Sequence, residues 1–184
     1  PEIPQTPIIT LGPEQVGWSR EQKIRWLRKW LAEKGYDAIL LTALDEIAWM
    51  LNVRGQDVAY NPVVMSYLLV TQDNVLWFAR KGPTLDEDDE TEDSFHELIA
   101  DGVNIQEYSD VETALSNLVD GSYIETLFVD PTTLNYNLYS ILKDNSPQSI
   151  VFGTSPVGLR KSVKNDVEIA GMKEAHLEDG IAME

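Results

Sequence analysis

The chain has 184 residues, 43% of them hydrophobic, and a formal charge of −17 from 31 acids against 14 bases. Its length and apolar content suit one globular domain with a sizeable core, while its acidity repels phosphate backbones and leaves no basic stripe for nucleic acid. No apolar run approaches the roughly 18–20 residues of a membrane span; Pro1 to Pro13 lacks the regions of a signal peptide; the absence of cysteine rules out disulfides and thiolate metal sites and agrees with a cytoplasmic location, the one expected.

Pro1, Pro4, Pro7 and Pro13 repeatedly fix φ and remove amide donors, so residues 1–17 read as an extended linker between domains and not as a core element. At Ser19 the pattern changes. Ser19 and Gln22 have the spacing of a capping box, and Ile24, Leu27 and Leu31 recur at helical spacing until Gly35. Trp26 and Trp30 flank that stripe and widen its apolar face. Ala38–Thr42 is long enough for a buried strand, and Leu44–Leu51 carries Asp45 and Glu46 early, where carboxylates favour a helix dipole.

Asn52 to Pro62 reads as a loop, and Val63–Val70 with Val75–Ala79 as a hairpin across the polar turn Thr71–Asn74. The acidic block from Asp86 to Asp93 reads as a solvated loop. Beyond it come a helix around Phe95–Ala100, a strand at Asn104–Tyr108, a helix over Val111–Leu118, a strand at Leu127–Val129, a helix over Leu134–Leu142 and a strand at Ser149–Phe152. One hairpin within a βα alternation predicts an α/β fold with a mixed sheet flanked by helices. Asn165 and Glu168 again have capping-box spacing, and the helical stripe begun by Ile169 and Met172 is still running at Glu184, as in a helix cut short.

Little of this pattern points to catalysis. His96 and His176 stand far apart without metal-ligand spacing. No Gly-x-Ser-x-Gly elbow is present, Gly153 and Gly158 do not form a phosphate cradle, and the acidic block lacks the donor alternation of a calcium loop. Asp45 to Pro62 is different, because Trp49, Asn52, Arg54, Gly55, Asp57 and Asn61 concentrate there. Arg54 is suited to bidentate bonds with a carboxylate, and Asp57 is placed to hold it by a salt bridge across the Gly55 turn. The alternative is a self-satisfied loop that orients Trp49 into the core.

The run "LTALDEIAWMLNVRGQDVAYNPV" closely resembles the hallmark stretch in the second domain of three-domain aminopeptidase P enzymes, in the creatinase and prolidase superfamily. "REQKIRWLRKWLAEKGYDAILL" resembles that domain's opening helix and strand, and "SPVGLRKSVKNDVEIAGMKEAHLEDGIA" the passage into the catalytic domain; between Asp86 and Leu142 only the element order matches. The resemblance implies a creatinase/prolidase N-terminal-domain-like fold of ribonuclease H-like architecture. It divides the chain into a linker (1–17), the second domain (18–160) and the first helix of a pita-bread catalytic domain (161–184).

It further implies an Xaa-Pro aminopeptidase, a metallopeptidase removing the residue before a proline, whose two divalent metals, manganese expected, lie in the catalytic domain. No catalytic residue and no metal ligand is carried over to this chain, which is expected to be inactive by itself. Its partners would be the first and catalytic domains of the same polypeptide, with X-Pro peptides as the substrates of the whole. Asn52, Arg54, Gly55, Asp57 and Asn61 fill the family's characteristic positions and, with Trp49, are the candidates for a substrate channel or domain interface. Exposed Trp18, Trp26 and Trp30 would favour self-association, a homodimer included. The competing reading is a free-standing α/β module binding a small ligand or protein through Trp49–Asn61.

Overall fold

The computed structural model describes residues 4, 6–80, 90–120, 124–144 and 149–183. After a two-residue strand β1 (Ile9–Thr10) and a single turn α1 (Pro13–Val16) comes helix α2 (Arg20–Lys34). It starts where the sequence places it: Gln22 N donates to Ser19 Oγ and Ser19 N to Gln22 Oε1, closing the capping box. It stops at Gly35, whose φ of 70° is the left-handed conformation glycine adopts most readily. Strand β2 (Ala38–Leu41), helix α3 (Leu44–Leu51) and the short strand β3 (Val53–Arg54) follow, then the hairpin β4 (Ser66–Thr71) and β5 (Val75–Ala79).

The second half alternates: α4 (Glu90–Ala100), β6 (Asn104–Glu107), α5 (Val111–Asp120), β7 (Thr126–Val129), α6 (Tyr136–Asp144), β8 (Ser149–Phe152), α7 (Pro156–Ser162) and α8 (Asp166–Ala182). The main sheet has the order β6-β5-β4-β2-β7-β8. Its β2-β4 and β4-β5 pairs are antiparallel, and its β2-β7, β7-β8 and β5-β6 pairs parallel. This is the mixed sheet expected from one hairpin within a βα alternation.

Because side chains alternate along a strand, β2 feeds two cores. Ile39 and Leu41 join Ile24, Leu27 and Leu31 of α2, Ile47 of α3 and Leu98 of α4. Ala38 and Leu40 face the other way, with Val111 and Leu115 of α5 and Leu138 and Leu142 of α6. All four β2 residues are buried, as a central strand covered on both faces requires.

Four local expectations are corrected. Within the stretch read as a linker, Ile8 to Thr10 join the fold: Ile8 is fully buried, β1 pairs with β3, and Thr10 N donates to Ser94 Oγ of α4. Pro7 and Pro13 flank β1 and so leave its amide donors in place, and Ile8 with Ile9 is too short an apolar run to show a periodicity. The acidic loop does not run to Asp93, since α4 begins at Glu90, where carboxylates meet the positive end of the helix dipole; Asp86 to Asp89 lie outside the described residues. Helix α6 starts two residues late because Asn135 caps it, its Oδ1 accepting from Leu138 N. Trp18, Trp26 and Trp30 are half-buried and engaged within the chain: Trp18 and Trp26 lie 6.5 Å from Trp49, and Trp30 lies 5.1 Å from Phe128.

Candidate functional site

The polar residues singled out between α3 and β4 fall into two groups. Asn52, Gly55 and Asp57 build the loop. Asn52 closes α3 in the left-handed conformation (φ 54°) and is almost wholly buried. Its Oδ1 accepts from Lys23 Nζ at 2.5 Å, and its Nδ2 donates to Trp18 O at 3.0 Å. Gly55 is buried where a Cβ would come within 2.8 Å of Val64 Cγ2, so a side chain there would force that branched neighbour to move.

Asp57 does not pair with Arg54, which corrects the expected salt bridge. Its Oδ1 accepts from Thr6 Oγ1 at 2.5 Å and its Oδ2 from Met65 N at 2.8 Å. With both oxygens bonded, the carboxylate is fixed as a brace between the N-terminal segment and the start of β4, and Arg54 is left without it.

Trp49, Arg54 and Asn61 form the second group, lining a cavity of about 280 Å³ with Asp45, Lys161, Lys164 and Glu168. Arg54 is half-buried, and its Nη1 donates to Ala48 O and Val53 O. Burial pulls the guanidinium below its ordinary value, an effect the field of Glu168 opposes. Trp49 is sandwiched. Lys23 Nζ sits 4.2 Å from its ring centroid, a cation–π contact, and its Nε1 donates to Glu168 Oε1 at 3.2 Å across 119 residues of sequence.

Lys23, 1% exposed, also donates to Trp49 O at 2.8 Å. Burial lowers its ammonium from the usual 10.5 to about 8, while Glu168 acts to raise it and Arg54 and Arg20 add repulsion. Above Trp18, Arg160 Cζ stands 4.2 Å from the ring centroid.

Sequence reasoning missed Lys23, Lys161, Lys164 and Glu168. Lys23 lies on the buried stripe of α2, one position before Ile24, and that coincidence of a lysine with a core face was the available signal. It also missed a second polar cluster beyond β2 and β7. There Glu46 Oε2 accepts from Ser155 Oγ at 2.5 Å, and Asp130 Oδ2 from Ser155 N at 2.7 Å. Burial pushes the Glu46 carboxyl up against the help of the Ser155 bond, and the charges of Asp45 and Asp130 push the same way. Among the described residues no three His, Asp or Glu side chains converge as metal ligands, and His96 and His176 are both exposed. These donors do not fit a metal pair.

Residues 1–168 match the family model described as the creatinase/prolidase N-terminal domain. Curated relatives include "Aminopeptidase P1" of Arabidopsis thaliana, 32% identical with all of this chain and 30% of the relative covered. "Xaa-Pro aminopeptidase ApepP" of Drosophila melanogaster is 36% identical, with 98% of this chain and 28% of the relative covered. Among solved structures, an X-prolyl aminopeptidase from Caenorhabditis elegans, described as a cytosolic enzyme with a di-nuclear active site, superposes with a TM-score of 0.86 at 32% identity. All of this chain and 29% of that one are covered. The chain thus spans about 30% of the length of the relatives it matches.

Proposed function

Because the chain belongs to the creatinase/prolidase N-terminal domain family, we propose that it serves as a non-catalytic accessory domain of a metal-dependent Xaa-Pro aminopeptidase. In this reading residues 18–160 form the accessory domain, with 161–184 opening the catalytic part. The divalent metals, manganese among the candidates, and the hydrolytic step belong to that part. What this chain supplies is shape: Asn52, Gly55 and Asp57 hold the loop, and Trp49, Arg54 and Asn61 present a wall to the substrate path or to the catalytic domain. A cytoplasmic location goes with the reading, since the C. elegans relative is described as cytosolic.

The observation that carries the reading is Arg54. A half-buried guanidinium fixed by two main-chain carbonyls, without an ion pair among the described residues, is a group prepared for something outside the domain. A surface loop with no further role would leave such a cation in water.

Two measurements test it. Manganese-supplemented hydrolysis of an X-Pro peptide is expected from the full-length gene product and not from this chain. Arg54→Ala in the full-length product is expected to change kcat/KM in a manner dependent on peptide length; unchanged kinetics at every length, with unchanged stability, refute the role of the loop.

A further inference from the structure

We propose that the cavity at Arg54 binds the C-terminal carboxylate of a short peptide, so that this domain recognises the far end of the substrate. The inference rests on the reading of the loop as a wall of the substrate path. It stands on the charge of the cavity and on how its charged groups are already used.

Three cations line it: Arg54, Lys161 and Lys164. Lys161 is neutralised by Asp45. Among the described residues Lys164 donates to Lys161 O, at 2.8 Å, and Arg54 to Ala48 O and Val53 O, with no other acceptor for either. An ammonium has three donors and a guanidinium five, so both retain N–H groups for an incoming oxygen pair. The remaining acid of the cavity is already engaged, with Glu168 Oε1 accepting from Trp49 Nε1 and Oε2 from Asn165 N. A protein of net charge −17 thus gathers around one cavity two cations that make no ion pair among the described residues, although the field of Glu168 reaches Arg54.

The walls decide which carboxylate. Ala48, Trp49, Pro62 and Val63 give the cavity an apolar side, and about 280 Å³ exceeds what an aspartate or glutamate side chain fills. A peptide's terminal residue presents a carboxylate and an apolar side chain together, and so uses both sides of the cavity. Bidentate contact with Arg54 gives the geometric selectivity, and Lys164 adds a point charge.

The test is a titration of this chain, followed through the Trp49 indole N–H resonance, with Ala-Pro-Leu and with its C-terminal amide. The free acid is expected to shift the resonance at millimolar concentration and the amide to bind about 10-fold more weakly or less. Arg54→Gln should erase the difference between the two, and Lys164→Gln, at an exposed position whose partner among the described residues is a main-chain carbonyl, should narrow it severalfold without altering the melting profile. Equal shifts from acid and amide overturn carboxylate recognition, as does no shift from either up to about 10 mM; the latter result would leave the cations to a carboxylate elsewhere in the polypeptide. No catalysis enters this titration, so the kinetic test of the loop stands or falls separately.

Discussion

Helices α2 and α8 begin in the same way and end in different states. Both open on a complete capping box, Ser19 with Gln22 in one and Asn165 with Glu168 in the other. Yet α2 buries Arg20, Lys23, Ile24, Leu27 and Leu31, while no residue of the 17-residue α8 is buried and Ile169, Met172, Leu177 and Ile181 all lie exposed. The caps decide where a helix starts, by satisfying amide donors locally. Whether its apolar stripe becomes core depends on a surface to meet it. Among the described residues the side-chain hydrogen bonds that tie α8 to the rest of the chain come from its first turn and cap, with Glu168 accepting from Trp49 Nε1 and Asn165 Nδ2 donating to Val16 O, beside its packing against α1.

The largest effect should come from removing a side chain that has found its core. Leu27→Ala, at a fully buried position, is expected to lower unfolding free energy in urea by about 2–5 kcal/mol. A loss below about 1 kcal/mol would mean that α2 is no better packed than α8.

Lys23 gives the next. Between about pH 8 and 10.5 the unfolded chain holds the Lys23 proton and the folded chain has lost it, so stability rises with pH across that window, by about 3 kcal/mol at most. Subtracting the Lys23→Met profile from that of the parent should isolate the rise; parallel profiles would show that the buried ammonium titrates normally.

Caps sharpen the contrast further. Ser19→Ala should destabilise the whole fold by about 1 kcal/mol, whereas Asn165→Ala should leave global unfolding almost unchanged and instead speed amide exchange along α8. Smallest of all, Leu177→Ala at a 67% exposed site should move stability by less than about 0.5 kcal/mol. A larger loss would reveal packing of α8 in solution.

The same division separates what could be read in the sequence from what could not. Helix α3 over Leu44–Leu51 and the terminator Gly35 are written in nearest-neighbour physics, and the structure agrees with them. The site residues were recognisable by type, but their partners were not. Asp57 looked like the partner of Arg54 at three residues' distance, yet it bonds Thr6, 51 residues away, because β1 crosses beside β3 and brings that hydroxyl to it. Glu168 reaches Trp49 from the far end of the chain, and Lys161 reaches Asp45 across 116 residues. No spacing rule connects such positions; only the assembled fold does.

Asn52 carries a consequence for how freely this sequence can drift. The backbone there sits where asparagine and glycine are tolerated and most L-residues are strained, so glycine would satisfy the turn while losing both side-chain bonds. Aspartate would keep an acceptor for Lys23 but offer no donor to Trp18 O. Serine lacks the reach to do both at once. Only one of the twenty side chains meets all three demands, which makes position 52 a place where substitution, however conservative by size, has nowhere neutral to go.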